Sequence, residues 1–215
     1  MFSAVLWDFG GVVLSSPFDA FSSYEDELGL PRELIRTVNA TNPHTNAWAK
    51  LERSEVSVSE FGRLFEAEAA EISSHPAVAQ LSGRRIVELL AGDIRPQMVT
   101  ALRHCKAAGL AVACLTNNMS TGAAVDIERQ SKVDDVMALF DVVVESAKVG
   151  VRKPEPRFYE IACELLQVTP EQCVFLDDLG INLKPARAMG MTTIKVGSPD
   201  VALSELSALL GIVLG

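Results

Sequence analysis

Two rhythms of apolar residues divide this chain. From about Pro96 onward, short apolar runs alternate with segments whose apolar residues return every three or four positions. Leu110–Leu115 and Cys173–Leu176 are continuous apolar runs of strand length, and Asp141–Glu145 and Thr192–Val196 are rich in β-branched residues. Between them, a helix is predicted from Pro96 through Met98, Val99, Leu102 and Cys105, with Gly109 placed to close it. A weaker helix is predicted around Thr121–Lys132. Pro156–Gln167 follows with Phe158, Ile161, Leu165 and Leu166 on one face. Asn182–Met189, stopped by Gly190, and Ala202–Leu210 complete the series. Near the other end, Ala4–Trp7 is one more buried strand, left through a Gly10-Gly11 turn. Strands alternating with helices predict an α/β fold, a Rossmann-like parallel sheet with helices on both faces.

Residues from about Ser16 to Leu90 keep a different rhythm. Phe18, Phe21 and Leu28 share one helical face, and Leu34, Ile35 and Val38 share another. The clearest helix starts at Ser59, a plausible N-cap, and runs through Phe61, Leu64, Phe65, Ala69 and Ile72. Strand-like alternation is nearly absent. The expected organisation is a core of residues 1–15 and 92–215 with a small all-helical cap, 16–91, inserted after the first strand. Its place directly after Asp8 leads us to expect it over the strand ends, where it would exclude water and select substrates.

Composition narrows the classes of function. A net charge of −9 argues against a nucleic-acid surface, which needs clustered Lys and Arg. No apolar stretch approaches membrane-spanning length, and a basic signal-peptide start is missing. Cys105, Cys114, Cys163 and Cys173 lie scattered in apolar segments with no Cys-x-x-Cys pair, so buried thiols and a reducing cytoplasm are expected. His44, His75 and His104 show neither zinc-ligand spacing nor a triad arrangement. The oligomeric state is not readable from these features.

Candidate chemistry gathers where a parallel sheet places its ligands, outside the carboxyl ends of the strands. Asp8 ends the first strand, and the Gly10-Gly11 turn beside it lets main-chain N–H groups approach an anion. Thr116-Asn117 follows the second strand, Lys153 sits in a Pro-rich loop, and Asp177-Asp178 closes a later strand. Each has a plain reading as a cap or a surface turn. As a set they offer an attacking carboxylate, hydroxyl and amide donors, one cation, and two acids for a divalent metal. That set suits phosphoryl transfer, where charge on oxygen must be spread and neutralised.

Four segments in order also resemble the motifs of the haloacid dehalogenase superfamily. They are Asp8 in D-x-G-G, Thr116-Asn117, Lys153 in R-K-P-E-P, and Asp177, Asp178 and Asn182 in D-D-x-x-x-N. The likeness spans nearly the whole chain and is strongest toward the N-terminal phosphatase domain of soluble epoxide hydrolase and its bacterial single-domain relatives. The segments Val174–Arg187 and Val149–Pro156 carry most of it.

The resemblance implies a Mg²⁺-dependent phosphatase of a small phosphorylated metabolite. Asp8 would be the nucleophile, forming an aspartyl-phosphate, and Lys153 would offset charge on it and on the phosphate. Thr116 and Asn117 would hold the phosphoryl oxygens, beside the Gly10-Gly11 turn. Mg²⁺ would be bound by Asp8, the main-chain oxygen of Gly10 and Asp178, with Asp177 the lesser candidate and Asn182 behind them. One position departs from the pattern. Most phosphatases of the family carry a general-acid Asp two residues after the nucleophile, and here that residue is Gly10. Two other readings therefore stand beside the phosphatase: a degenerate member that binds a phosphorylated ligand without turnover, and a metal-independent haloacid dehalogenase, against which the two acids count.

Overall fold

Ala4–Trp7 (β1) is buried throughout and lies in the middle of a five-stranded parallel sheet. Ala111–Thr116 (β2) and Val142–Glu145 (β3) extend the sheet on one side, and Cys173–Asp177 (β4) and Thr192–Lys195 (β5) on the other, giving the order β3-β2-β1-β4-β5. The computed structural model describes residues 2–118 and 127–214. Residues 2–15, 93–117 and 127–214 form one compact unit, and residues 16–92 another.

Alternation along the strands feeds two cores. Val5, Trp7, Val112, Cys114, Val174, Leu176 and Ile194 face one side, where they meet Pro96–Ala107 (α6), Ile127–Met137 (α7) and Pro199–Leu210 (α11). Leu6, Ala113, Leu115, Val144 and Phe175 face the other, against Pro156–Leu166 (α9) and Gly180–Ala188 (α10). Helices thus cover both faces, as the sequence pattern predicts. The register sets Trp7 beside Cys114 of β2 and Leu176 of β4. Asp8, the next residue, therefore emerges between the two strands that end in Thr116 and Asp177. Strand order reverses between β1 and β4, and such a switch point is where a parallel sheet opens a crevice for ligands.

Predicted element bounds shift by a few residues in several places. α10 starts at Gly180 and α11 at Pro199, both ahead of their predicted starts. A four-residue helix, Ser146–Val149 (α8), follows β3 where none was predicted. The predicted helix at Thr121–Lys132 falls partly outside the described residues, and its described part, α7, continues to Met137.

The second unit is all helical: Phe18–Leu28 (α1), Leu34–Ala40 (α2), Ala47–Glu52 (α3), Val58–Ile72 (α4) and Gly83–Glu88 (α5). Phe21, Ile35, Leu51, Phe61, Phe65 and Ile86 build its core. The N-cap of α4 is Ser57 and not Ser59, because Ser57 has extended backbone and its hydroxyl accepts the Glu60 N–H at 3.2 Å. Ser59 already lies inside the first turn. α4 and α5 approach closely: a β-carbon on Gly83 would fall 2.5 Å from the Gly62 Cα. Buried Glu25 completes the start of α2, accepting the Glu33 and Ile35 N–H groups at 2.8 and 2.7 Å. Trp48 packs edge-on to Phe61 at 5.4 Å and donates to Glu52, which places it with the core of this unit. Among the described residues, no helix is long and apolar enough to cross a membrane.

Candidate active site

The chain leaves β1 through a wide turn over Phe9–Val13, closed by the Leu14 N–H on the Phe9 carbonyl at 2.8 Å. Gly11 takes a left-handed conformation there, φ 77°, which favours glycine. A side chain at Gly11 would also collide with the Asp178 carboxylate, so this turn and the end of β4 are packed backbone to side chain. Asp8 opens the turn. Its Oδ1 accepts the Phe9 N–H at 2.7 Å and the Lys153 ammonium at 2.7 Å.

Lys153 is 1% exposed, a fully buried cation in place of the surface turn its Pro-rich surroundings suggest. Its Nζ lies 2.7 Å from Asp8 and 2.7 Å from Asp177, and 5.7 Å from the centre of the Phe175 ring. Asn117 fixes its backbone. The Asn117 Nδ2 donates to the Lys153 carbonyl at 3.0 Å and its Oδ1 accepts the Lys153 N–H at 2.8 Å. The side-chain amide of Asn117 thereby places the lysine. Thr116 is buried at the end of β2, on the strand beside Asp8.

The two adjacent acids differ sharply. Asp177 is fully buried, and its oxygens accept from Lys153, from the Leu179 N–H at 2.8 Å, and from the Asn182 Nδ2 at 3.0 and 3.1 Å. Asn182 is held in turn by Tyr159, whose hydroxyl donates to its carbonyl at 2.7 Å. Asp177 is therefore a structural anchor for the lysine. Asp178 is only half-buried, and one of its oxygens lies within 4.8 Å of those of Asp8 and Asp177.

Asp8 and Asp177 share one lysine with Asp178 close by, and the excess of negative charge shows at Asp8 and Asp178. Burial raises the Asp8 carboxyl well above its ordinary value, opposed by Lys153 and reinforced by Asp177 and Asp178. Burial, then the charge on Asp177, pushes Asp178 up to about 6. Burial works against the charge on Lys153, but Asp177 and Asp8 outweigh it and hold the ammonium above its usual range. A divalent cation between Asp8 and Asp178 would relieve this excess of negative charge, and the all-oxygen donor set fits Mg²⁺.

Because the folded-state pKa of Asp178 lies above the ordinary value, its burden on the metal-free fold grows as pH rises through about 4 to 6 and persists above. Asp178→Asn is expected to raise the metal-free Tm by roughly 2–5 °C at pH 7.5, with the gap closing toward pH 4. Thermal unfolding at the two pH values checks this; equal shifts at both would refute it.

Arg95 is the residue of this region that the sequence pattern does not single out. It precedes α6, and its Nη1 donates to the Gly11 and Val12 carbonyls at 2.7 and 3.2 Å. Its only mark in the sequence is its place before the helix-starting Pro96. Tyr159 is likewise legible only as an apolar position of α9.

Comparison with known proteins agrees with this architecture. A family model described as haloacid dehalogenase-like hydrolase matches residues 2–190. The mouse protein Acyl-CoA dehydrogenase family member 10 is 33% identical over 98% of this chain, which spans 19% of that protein. Pig Bifunctional epoxide hydrolase 2 is 30% identical over 97% of this chain and 39% of its own length. The chain thus spans well under half of these two relatives. Phosphatase MT3486 of Mycobacterium tuberculosis is 34% identical over 54% of this chain and 52% of that one. Among solved structures, a dehalogenase superposes with a TM-score of 0.63 at 21% identity, covering 97% of this chain and 96% of the other. A haloacid dehalogenase family enzyme from Bacteroides thetaiotaomicron, in complex with magnesium and inorganic phosphate, superposes with a TM-score of 0.57 at 18% identity, covering 92% and 96%.

Proposed function

The chain belongs to the haloacid dehalogenase-like hydrolase family, and we propose that it is a Mg²⁺-dependent phosphatase of small phosphorylated metabolites. The observation that carries this reading is the cluster of Asp8, Asp177 and Asp178, with a buried lysine paired to Asp8 and Asp177. Relatives include proteins named as phosphatases, and a structural neighbour holds magnesium and phosphate. The same reading sets the protein in a reducing cytoplasm, in keeping with four buried free cysteines.

In this reading an oxygen of Asp8 attacks phosphorus while the bond to the leaving oxygen breaks and its electron pair departs with that oxygen. Water then attacks the aspartyl-phosphate, releasing inorganic phosphate and restoring Asp8. Lys153 counters the charge on Asp8 and on the transferred group, and Thr116 donates its hydroxyl to a phosphoryl oxygen. Asn117 keeps Lys153 in place. Asp8, Asp178 and the Gly10 carbonyl would hold Mg²⁺, which when bound supplies charge neutralisation for the phosphoryl oxygens. Asp177, with both oxygens engaged, serves by anchoring Lys153.

Phosphate release from an aryl phosphate should require Mg²⁺, stop with EDTA, and be lost in Asp8→Asn. Binding of phosphate or its analogues without any release would favour the degenerate binder, and halide release from a 2-haloacid without metal would favour the dehalogenase. Calorimetric titration should show Mg²⁺ binding that weakens at least tenfold in Asp178→Asn. Asp177→Asn should cost fold stability more than metal affinity, because it breaks a buried network. Equal Mg²⁺ affinities in wild type and Asp178→Asn would reverse the ligand assignment.

A further inference from the structure

Residue 95 takes three consecutive carbonyls of the turn that follows Asp8. The Arg95 guanidinium holds those of Gly11 and Val12, and its main-chain N–H donates to that of Val13 at 2.9 Å. One residue, 84 positions away from Gly11, thereby fixes the path of the backbone through the turn. Gly10, whose carbonyl is a proposed metal ligand, belongs to that turn, and Gly11 abuts the carboxylate of Asp178. Arg95 also brings its positive charge close to Asp178.

We propose that Arg95 is a positioning residue for the metal site, setting the spacing between the Gly10 carbonyl and Asp178 through its two hydrogen bonds to the turn. The inference rests on the Mg²⁺ reading given above. Two consequences of Arg95 oppose each other. As a nearby cation it repels Mg²⁺, and as a pin on the backbone it keeps the ligands in place. Both side-chain bonds come from Nη1, whose two N–H groups are fixed in the guanidinium plane, a direction that a lysine ammonium on a flexible stem would hold less firmly. Pinning is assigned here as the stronger effect, since partners behind metal ligands typically govern affinity by roughly 10–100-fold.

The test compares wild type, Arg95→Met and Arg95→Lys as the full chain. Mg²⁺ affinity is read by calorimetry, and folding by circular dichroism and Tm without metal. Arg95→Met should bind Mg²⁺ about tenfold more weakly despite losing a repelling cation, with Arg95→Lys intermediate. A folded Arg95→Met that binds equally well or more tightly overturns the proposal, because charge alone would then account for Arg95. If Arg95→Met does not fold, Arg95→Lys decides: weaker binding than wild type supports positioning, and equal binding overturns it. Absence of Mg²⁺ binding in folded wild type would overturn the metal reading itself and this inference with it.

Discussion

Lys153→Met is expected to end phosphate release and to destabilise the α/β unit by about 3–5 kcal/mol at neutral pH, the usual penalty for leaving buried partners uncompensated. The lysine is the cation between Asp8 and Asp177, and it is fully buried. Methionine nearly preserves its volume, so loss of packing contributes little. The penalty should depend on pH with a definite sign. In wild type, Asp177 and Asp8 hold the Lys153 ammonium above its usual range. Its stabilisation is therefore complete below the unfolded lysine value and fades only as pH climbs toward the raised folded one. In Lys153→Met both acids lose that partner; the Asp8 carboxyl, already raised by burial, rises further, and ionising it costs stability as pH increases. The variant should thus lie closer to wild type at pH 5 than at pH 8. Denaturant unfolding at both values checks this; an equal loss at both, or phosphate release at the wild-type rate, would refute the role given to Lys153.

The strands of the sheet could be read because a parallel sheet buried on both faces demands continuous apolar runs, and Ala4–Trp7 and Cys173–Leu176 supply them. Helices α6 and α9 carried long periodic stripes. By contrast, α3, α5 and α8 span only four to six residues, too short for a stripe to stand out. For the site, strand ends bring Asp8, Thr116 and the Asp177-Asp178 pair to attention, since ligands collect there, whereas Lys153 lies in the loop beyond α8 and is marked by its R-K-P-E-P motif. Division of labour between the two acids was hidden, because it depends on which oxygen Lys153, Asn182 and the Leu179 N–H reach. The tie between Asn117 and Lys153 is a contact across 36 residues, and that between Arg95 and Gly11 spans 84. Neither has a local periodic signature.

Turnover should favour phosphates with weakly basic leaving groups, such as aryl and acyl phosphates, over primary alkyl phosphates. A departing oxygen that carries an electron pair needs a proton most when it would otherwise leave as a strongly basic alkoxide. Gly10 offers no carboxylic acid, and Lys153 is clamped between two carboxylates and held charged. Among the described residues, the histidine of the α/β unit is His104, in the last turn of α6, which leads into the start of β2 and not its catalytic end. Restoring an acid is structurally simple. Gly10 has ordinary dihedrals, φ −71° and ψ 131°, and a β-carbon added there meets nothing within 4 Å. Gly10→Asp should therefore raise kcat/KM for alkyl phosphates by roughly 10²–10⁴-fold, with a far smaller gain for aryl phosphates. The same missing group would act as base for water in breaking down the aspartyl-phosphate, so a phospho-enzyme should accumulate and be trapped by rapid quench with labelled substrate. If that breakdown limits every substrate, kcat conceals the preference, so the comparison uses kcat/KM. A plot of log kcat/KM against leaving-group pKa should fall steeply for wild type and flatten in Gly10→Asp. A flat plot for wild type, unchanged by the substitution, would show that the proton already comes from another group.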